Sequence, residues 1–178
     1  MLAATPIAAI IIMGVSGSGK STIADALANR TGYADEDGDS FHPPANVAKM
    51  HAGIPLTDED RWPWLRAIAA AVDRNADAGR PIIIACSALK RAYRDILVHG
   101  RTDVRLVYLK GTREVIASRL AARRNHFMPP SLLDSQFATL EEPTADEPAI
   151  TTNIDAPVAA IVDDIVRQLE LATPMAAS

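Results

Sequence analysis

The sequence predicts a three-layer α/β fold built on a parallel five-stranded sheet, and three observations carry that expectation. Short, β-branched and nearly continuous apolar runs at Ile7 to Met13, Pro81 to Cys86 and Val104 to Leu109 have the pattern of strands buried on both faces. Between these runs the apolar spacing becomes helical, so strands and helices alternate along the chain, the order that right-handed crossovers require. The first run leads into Gly14-Val15-Ser16-Gly17-Ser18-Gly19-Lys20-Ser21, which in turn opens a helical segment, Ser21 to Asn29. A glycine-rich loop in that setting turns successive amides into one concavity at a helix N-terminus, the geometry that holds a nucleotide β-phosphate.

In chain order, the second strand is placed at Tyr33 to Asp37 by topology, since Tyr-Ala-Asp-Glu-Asp lacks the apolar pattern of the others. Leu65, Ile68, Ala69 and Val72 share one helical face, with Thr57 and Asp60 as a capping pair before them and Gly79 as the stop. Thr112 is expected to cap the helix after the strand at Val104 to Leu109, and Ser131 with Asp134 to cap another. A further strand is expected over Ile150 to Ile154. Pro157 begins the last helix, whose apolar face carries Val158, Ile161, Ile165 and Leu169.

Composition narrows the class. A chain of 178 residues is expected to be one domain with a substantial core. Its net charge of -4 argues against a nucleic-acid surface. The apolar start lacks a basic leader and is too short to span a bilayer, so no membrane association is expected. A single cysteine, Cys86, excludes an internal disulfide and points to a reducing, cytoplasmic setting.

Several side chains then have chemistry to do. Lys20 is expected to reach the β- and γ-phosphates and Ser21 to offer its hydroxyl to Mg²⁺. Asp37-Gly38-Asp39-Ser40-Phe41-His42-Pro43 falls at the carboxyl end of the second strand, where open α/β sheets bind ligands. Extended alternation would point Asp37 and Asp39 to one side, the first toward Mg²⁺ and its water, the second toward an attacking hydroxyl whose proton it accepts. Asp35-Glu36-Asp37-Gly38 also fits the short DxxG pattern of GTPases, but no NKxD motif follows. Arg119 and Arg123 lie four apart on one helix face, with Arg124 beside them, a concentration of charge suited to a phosphoryl group. Asn125 to Pro130 then breaks the helix in the manner of a lid connection. Ser87 and Lys90, after the third apolar run, are placed for a polar, anionic substrate, with Arg94 one turn onward. His42, His51 and His126 are too scattered for a metal cluster, and Trp62 and Trp64 are expected to pack under the lid.

Taken together these stretches resemble the gluconate kinase family, the gluconokinases, which belong with shikimate and adenylate kinases among the small P-loop kinases. The resemblance runs from about Ile10 to Pro143 through the phosphate loop with Thr22, Asp37-Gly38-Asp39 with His42-Pro43, Asn46-Val47-Ala48-Lys49-Met50, and Gly53 to Arg61 with Pro63-Trp64-Leu65. It continues through Cys86 to Arg91 with Tyr93-Arg94-Asp95, Tyr108 to Gly111, Arg119-Leu120, Arg123, His126 to Pro129, Leu132-Leu133, Ser135-Gln136-Phe137 and Thr139-Leu140-Glu141. It implies a three-layer P-loop kinase fold with a helical lid at about 119–140, and ATP- and Mg²⁺-dependent phosphorylation of D-gluconate on its C6 hydroxyl, commonly by a homodimer. Gly14, Ser16, Gly17, Ser18, Gly19, Lys20, Ser21, Thr22, Arg119 and Arg123 would then hold ATP, with Arg119 stacked on adenine and Arg123 on phosphate. Asp39, His42, Arg61, Ser87, Lys90 and Arg94 would hold gluconate, Ser21 and Asp37 the metal, and Lys20, Asp39 and Arg123 the reacting groups. Asp35 stands where the family usually has an apolar residue, and Phe41 where leucine is usual. Rival expectations are a kinase for another polyol acid such as shikimate and, from another class, a nucleotide-dependent switch.

Overall fold

The computed structural model describes residues 5–122 and 130–172. Five strands, Ala9–Met13 (β1), Ala34–Asp37 (β2), Ile82–Ala85 (β3), Val104–Lys110 (β4) and Ala149–Asn153 (β5), form one sheet in the order β2-β3-β1-β4-β5. Every neighbouring pair is parallel, with Ile11 of β1 opposite both Ile84 and Leu106. The most apolar sequences take the middle of the sheet: β1 and β3 are buried at every position. The acidic β2 is exposed at every position and occupies an edge, which is how a strand without an apolar face is accommodated.

Among the described residues seven α-helices cover the two faces: α1 (Lys20–Thr31), α2 (Pro44–His51), α3 (Asp58–Asp77), α4 (Arg91–Val98), α5 (Arg113–Ala121), α6 (Pro130–Thr139) and α7 (Val158–Leu169). Alternation along β1 divides the core. Ile10 and Ile12 pack with Leu27 of α1, Ile116 of α5, Leu133 of α6 and Ile165 of α7. Ile11 and Met13 face the other way, onto Leu65 and Ile68 of α3 and Leu97 of α4. The result is the expected three-layer arrangement.

Helix ends follow local chemistry. Thr57 Oγ1 accepts from the Asp60 amide at 3.2 Å while Asp60 Oδ2 accepts from the Thr57 amide at 2.9 Å, a reciprocal cap for α3. Thr112 Oγ1 accepts from the Val115 amide and starts α5, and Pro157 immediately precedes α7. Ser131 does not cap α6, because the helix has already begun at Pro130; Asp134 instead accepts from Arg113 Nε at 2.6 Å, tying α6 to α5. No helix among the described residues is long and apolar enough to cross a membrane.

Candidate active site

The site is built where β1 stops. From Met13 the chain turns through residues 14–19 and enters α1 at Lys20. Gly17 and Gly19 take φ of +84° and +94°, backbone that side-chain-bearing residues rarely adopt, and this turns the loop amides toward the helix N-terminus. Lys20 Nζ donates to Val15 O at 3.1 Å, folding the side chain back over the loop. Ser21 Oγ donates to Asp37 Oδ2 at 3.2 Å, so the first turn of α1 meets the end of β2.

From this junction a cleft of about 560 Å³ opens at the carboxyl ends of the strands, lined by the loop, Asp37, Asp39, His42, Arg61 and Ser87. Here the extended alternation expected of Asp37 and Asp39 gives way to a different local structure. Gly38–Phe41 is a 3₁₀ turn, Asp37 is its N-cap, and Asp37 Oδ1 accepts from the Asp39 amide at 2.9 Å. The two carboxylates still face one cleft, but through a turn that leaves the Asp39 side chain 83% exposed. Trp64, from α3, supports this turn: its Nε1 donates to Gly38 O at 2.8 Å, and its ring stacks on His42 at 4.2 Å. It therefore packs beneath the acidic turn, while Trp62 sets its edge against Tyr93.

A second cluster borders the cleft. Asp58 accepts from Tyr93 Oη at 2.5 Å and from Lys90 Nζ at 3.2 Å, and Arg61 Nη1 donates to Leu56 O at 2.8 Å and to Tyr93 Oη at 3.4 Å. The Tyr93 hydroxyl, with Lys90, holds the Asp58 carboxyl below its usual range, and Asp58 in turn raises Lys90. Arg61 lines the cleft; Lys90 does not, and its charge is committed to Asp58. Cys86 lies in the wall, with burial pushing its thiol up to about 12, which leaves it inert as a nucleophile.

Arg94 corrects a sequence expectation outright. It is 1% exposed, bonds Glu147 at 2.6 Å and 3.2 Å, and donates to Ala88 O and Leu89 O. Four of the five guanidinium N–H donors are taken and the side chain does not line the cleft, so Arg94 braces α4 and the loop before β5 and is closed off from a substrate there. Arg119 donates to Ile154 O and shares a separate cavity of about 190 Å³ with Gly17, Gly19 and Thr22, on the outer side of the phosphate loop. Arg123, Arg124 and His126 lie outside the described residues.

Two participants had no role in the sequence reading. Gln136 of α6 lies over the loop: its Oε1 accepts from the Ser16 amide at 2.6 Å and its Nε2 donates to Ser16 Oγ at 2.8 Å. Asn46, 3% exposed, donates from Nδ2 to Asp60 O at 2.9 Å and pairs with His42 Nδ1 at 3.2 Å. The sequence marks both as part of the stretches that carry the family resemblance, but nothing in either stretch assigns the side chain a contact. Met50, Leu56 and Leu132 add apolar surface to the same cleft.

A parallel sheet in this order, a glycine loop passing its lysine and serine into α1, and carboxylates at the neighbouring strand end define a small P-loop kinase. Residues 10–143 match the AAA domain family model. The thermoresistant gluconokinase of Escherichia coli (strain K12) is 43% identical over 161 residues, covering 90% of this chain and 92% of that one. Among solved structures, a sugar kinase from Janibacter sp. HTCC2649 superposes with a TM-score of 0.87 at 48% identity, covering 97% of this chain and all of the other. A gluconokinase from Sinorhizobium meliloti 1021 gives 0.82 at 44% identity, covering 91% of each chain. The chain belongs to the gluconokinase family. A shikimate kinase from Aquifex aeolicus, at 16% identity and a TM-score of 0.56, covering 91% of this chain and 96% of its own, shares the fold alone.

Proposed function

We propose that this enzyme transfers the γ-phosphoryl group of ATP to the C6 hydroxyl of D-gluconate, giving 6-phospho-D-gluconate and ADP. The observation that carries the reading is one cleft that joins the phosphate loop to Asp37, Asp39, His42 and Arg61 in a chain 43% identical to a gluconokinase. The loop amides and Lys20 bind the phosphates, and Lys20 meets charge that spreads over the γ-phosphoryl as it leaves ADP. Ser21 and Asp37, already 3.2 Å apart, fit a divalent cation held partly through water. Mg²⁺ bound there neutralises charge on the phosphates. Among the described residues no three His, Cys, Asp or Glu side chains cluster as a metal site, which suits an ion completed by water and phosphate oxygens.

On the acceptor side, Asp39 faces the hydroxyl. As that oxygen bonds to the γ-phosphorus and the bond to the ADP oxygen breaks, Asp39 accepts the proton. His42 and Arg61 orient the sugar acid, Arg61 offering a fork suited to its carboxylate, and Ser87 lines the same wall. Adenine lies against Arg119 in the cavity beside Thr22. The lid expected at about 119–140 is represented among the described residues by Leu120, Leu132 and Gln136, which border the phosphate loop and its cleft; a homodimer and a cytoplasmic setting go with this reading. The test is an ATP-consumption assay over a panel of sugar acids with shikimate included. Gluconate should give the highest kcat/KM and a product one phosphoryl group heavier; faster turnover of shikimate or of a nucleoside monophosphate overturns the assignment.

A further inference from the structure

His42 is held more tightly than a substrate contact requires. Its side chain is 4% exposed, its ring is fixed in plane by the Trp64 stack, and one edge faces α2. There Asn46 settles the proton. Asp60 O is a backbone carbonyl and only accepts, so the Asn46 atom 2.9 Å away is the amide nitrogen. The second proton of the same nitrogen points at His42 Nδ1, 3.2 Å away, which must offer a lone pair. An imidazole whose Nδ1 accepts carries its only proton on Nε2. That nitrogen faces Asp39, with Oδ1 at 3.9 Å.

We propose that Asn46 is a positioning residue that locks His42 as the neutral Nε2–H tautomer, so that the ring presents a donor, and not a charge, to Asp39. The other two states would each work against Asp39. The Nδ1–H tautomer would turn a lone pair toward the carboxylate and repel it. An imidazolium would pair with the carboxylate and compete with the acceptor hydroxyl for it. A neutral donor steers the carboxylate without neutralising it, and the 3.9 Å separation shortens when an acceptor draws the turn together. The charged groups facing the ring are Asp39 from its own turn and Arg61 from α3; burial is the largest influence on His42 and lowers its pKa, Asp39 opposes it and Arg61 assists it.

The tautomer lock is independent of which acceptor is used, and only the consequence for Asp39 rests on the proposed reaction. The first measurement is therefore long-range ¹H–¹⁵N correlation of the four histidines in the ligand-free wild-type protein, with His42 assigned by His42→Gln. Between pH 6 and 8 His42 should show a protonated Nε2 and an unprotonated Nδ1; a protonated Nδ1, alone or as imidazolium, overturns the proposal. The second is Asn46→Asp, whose carboxylate accepts from Nδ1 and favours the imidazolium. We expect kcat to fall by roughly 10²-fold, the scale of a disturbed general base, with KM for ATP within about twofold and the acid limb of the kcat/KM profile moved to higher pH. Asn46→Ala should give mixed tautomers and a smaller loss. An Asn46→Ala enzyme with the wild-type tautomer, or an Asn46→Asp enzyme with an unshifted pH profile, reduces Asn46 to a structural residue. A correct tautomer in a protein that fails to phosphorylate gluconate would sink the proposed function and leave the lock standing.

Discussion

Replacing Arg94 with alanine should unfold the enzyme at lower temperature and leave its substrates unaffected. The substitution strands Glu147, whose side chain is 3% exposed, and frees the carbonyls of Ala88 and Leu89. Breaking a buried pair by removing one partner costs about 3–5 kcal/mol. At about 2–4 °C of midpoint per kcal/mol for a chain of this size, the expected drop in Tm is about 6–20 °C. The pH dependence has a definite sign. In the wild type, burial pushes the Glu147 carboxyl up, but Arg94 and the Thr144 amide outweigh it, so the pKa lies below its usual value. That pair contributes stability above the unfolded-state value and loses it as pH falls through the folded one. Without Arg94, burial dominates, the Glu147 pKa rises, and the folded variant binds a proton that the unfolded chain does not; its deficit should therefore shrink as pH falls from 7 toward 5. Calorimetry across that range, with KM for gluconate measured at low temperature, checks both halves. A Tm within about 2 °C of wild type together with a KM raised tenfold would refute the structural reading and return Arg94 to the substrate.

Three other outcomes are expected. Lys20→Ala should lower kcat at saturating ATP by about 10²-fold or more, because the lost contact strengthens as charge spreads in the transition state; steady-state kinetics decide it. Asp37→Asn should raise the Mg²⁺ concentration for half-maximal rate, whereas Asp39→Asn should lose roughly 10²- to 10⁴-fold in kcat without rescue by Mg²⁺, and a Mg²⁺ titration of both separates the roles. Gly17→Ala adds a Cβ 2.6 Å from Leu120 Cγ at a φ of +84°, a strain of about 1–3 kcal/mol, so ATP affinity by calorimetric titration should fall about tenfold or more.

The sequence was most legible where one local pattern decided the outcome. Continuous apolar runs became the central strands β1, β3 and β4, and the Thr57–Asp60 pair became the cap of α3. Beyond that range the signal fails for identifiable reasons. Arg94 and Glu147 are 53 residues apart, and nothing in a run of residues tells a guanidinium aimed at a substrate from one buried against a distant carboxylate. Asp37 and Asp39 were judged by strand alternation, yet Asp37 itself ends the strand by accepting from the Asp39 amide. Ser131 has the chemistry of a cap but sits inside α6. Gln136 and Asn46 acquire meaning only from what α6 and α2 pack against, Ser16 in one case and the edge of His42 in the other.

The acidic strand β2 also governs how copies of this enzyme behave in a crowded solution. A parallel sheet has two ends at which a foreign strand could add, and at this one every incoming backbone would meet the exposed Asp35 and Glu36. Folding alone would have tolerated valine or threonine there, since neither residue supports the core. Such replacements should leave the melting curve of a dilute sample nearly unchanged and yet shorten its lifetime at high concentration, as edges begin to pair. Asp35 and Glu36 are thus residues whose value is invisible in one isolated molecule and is measured in turbidity over time.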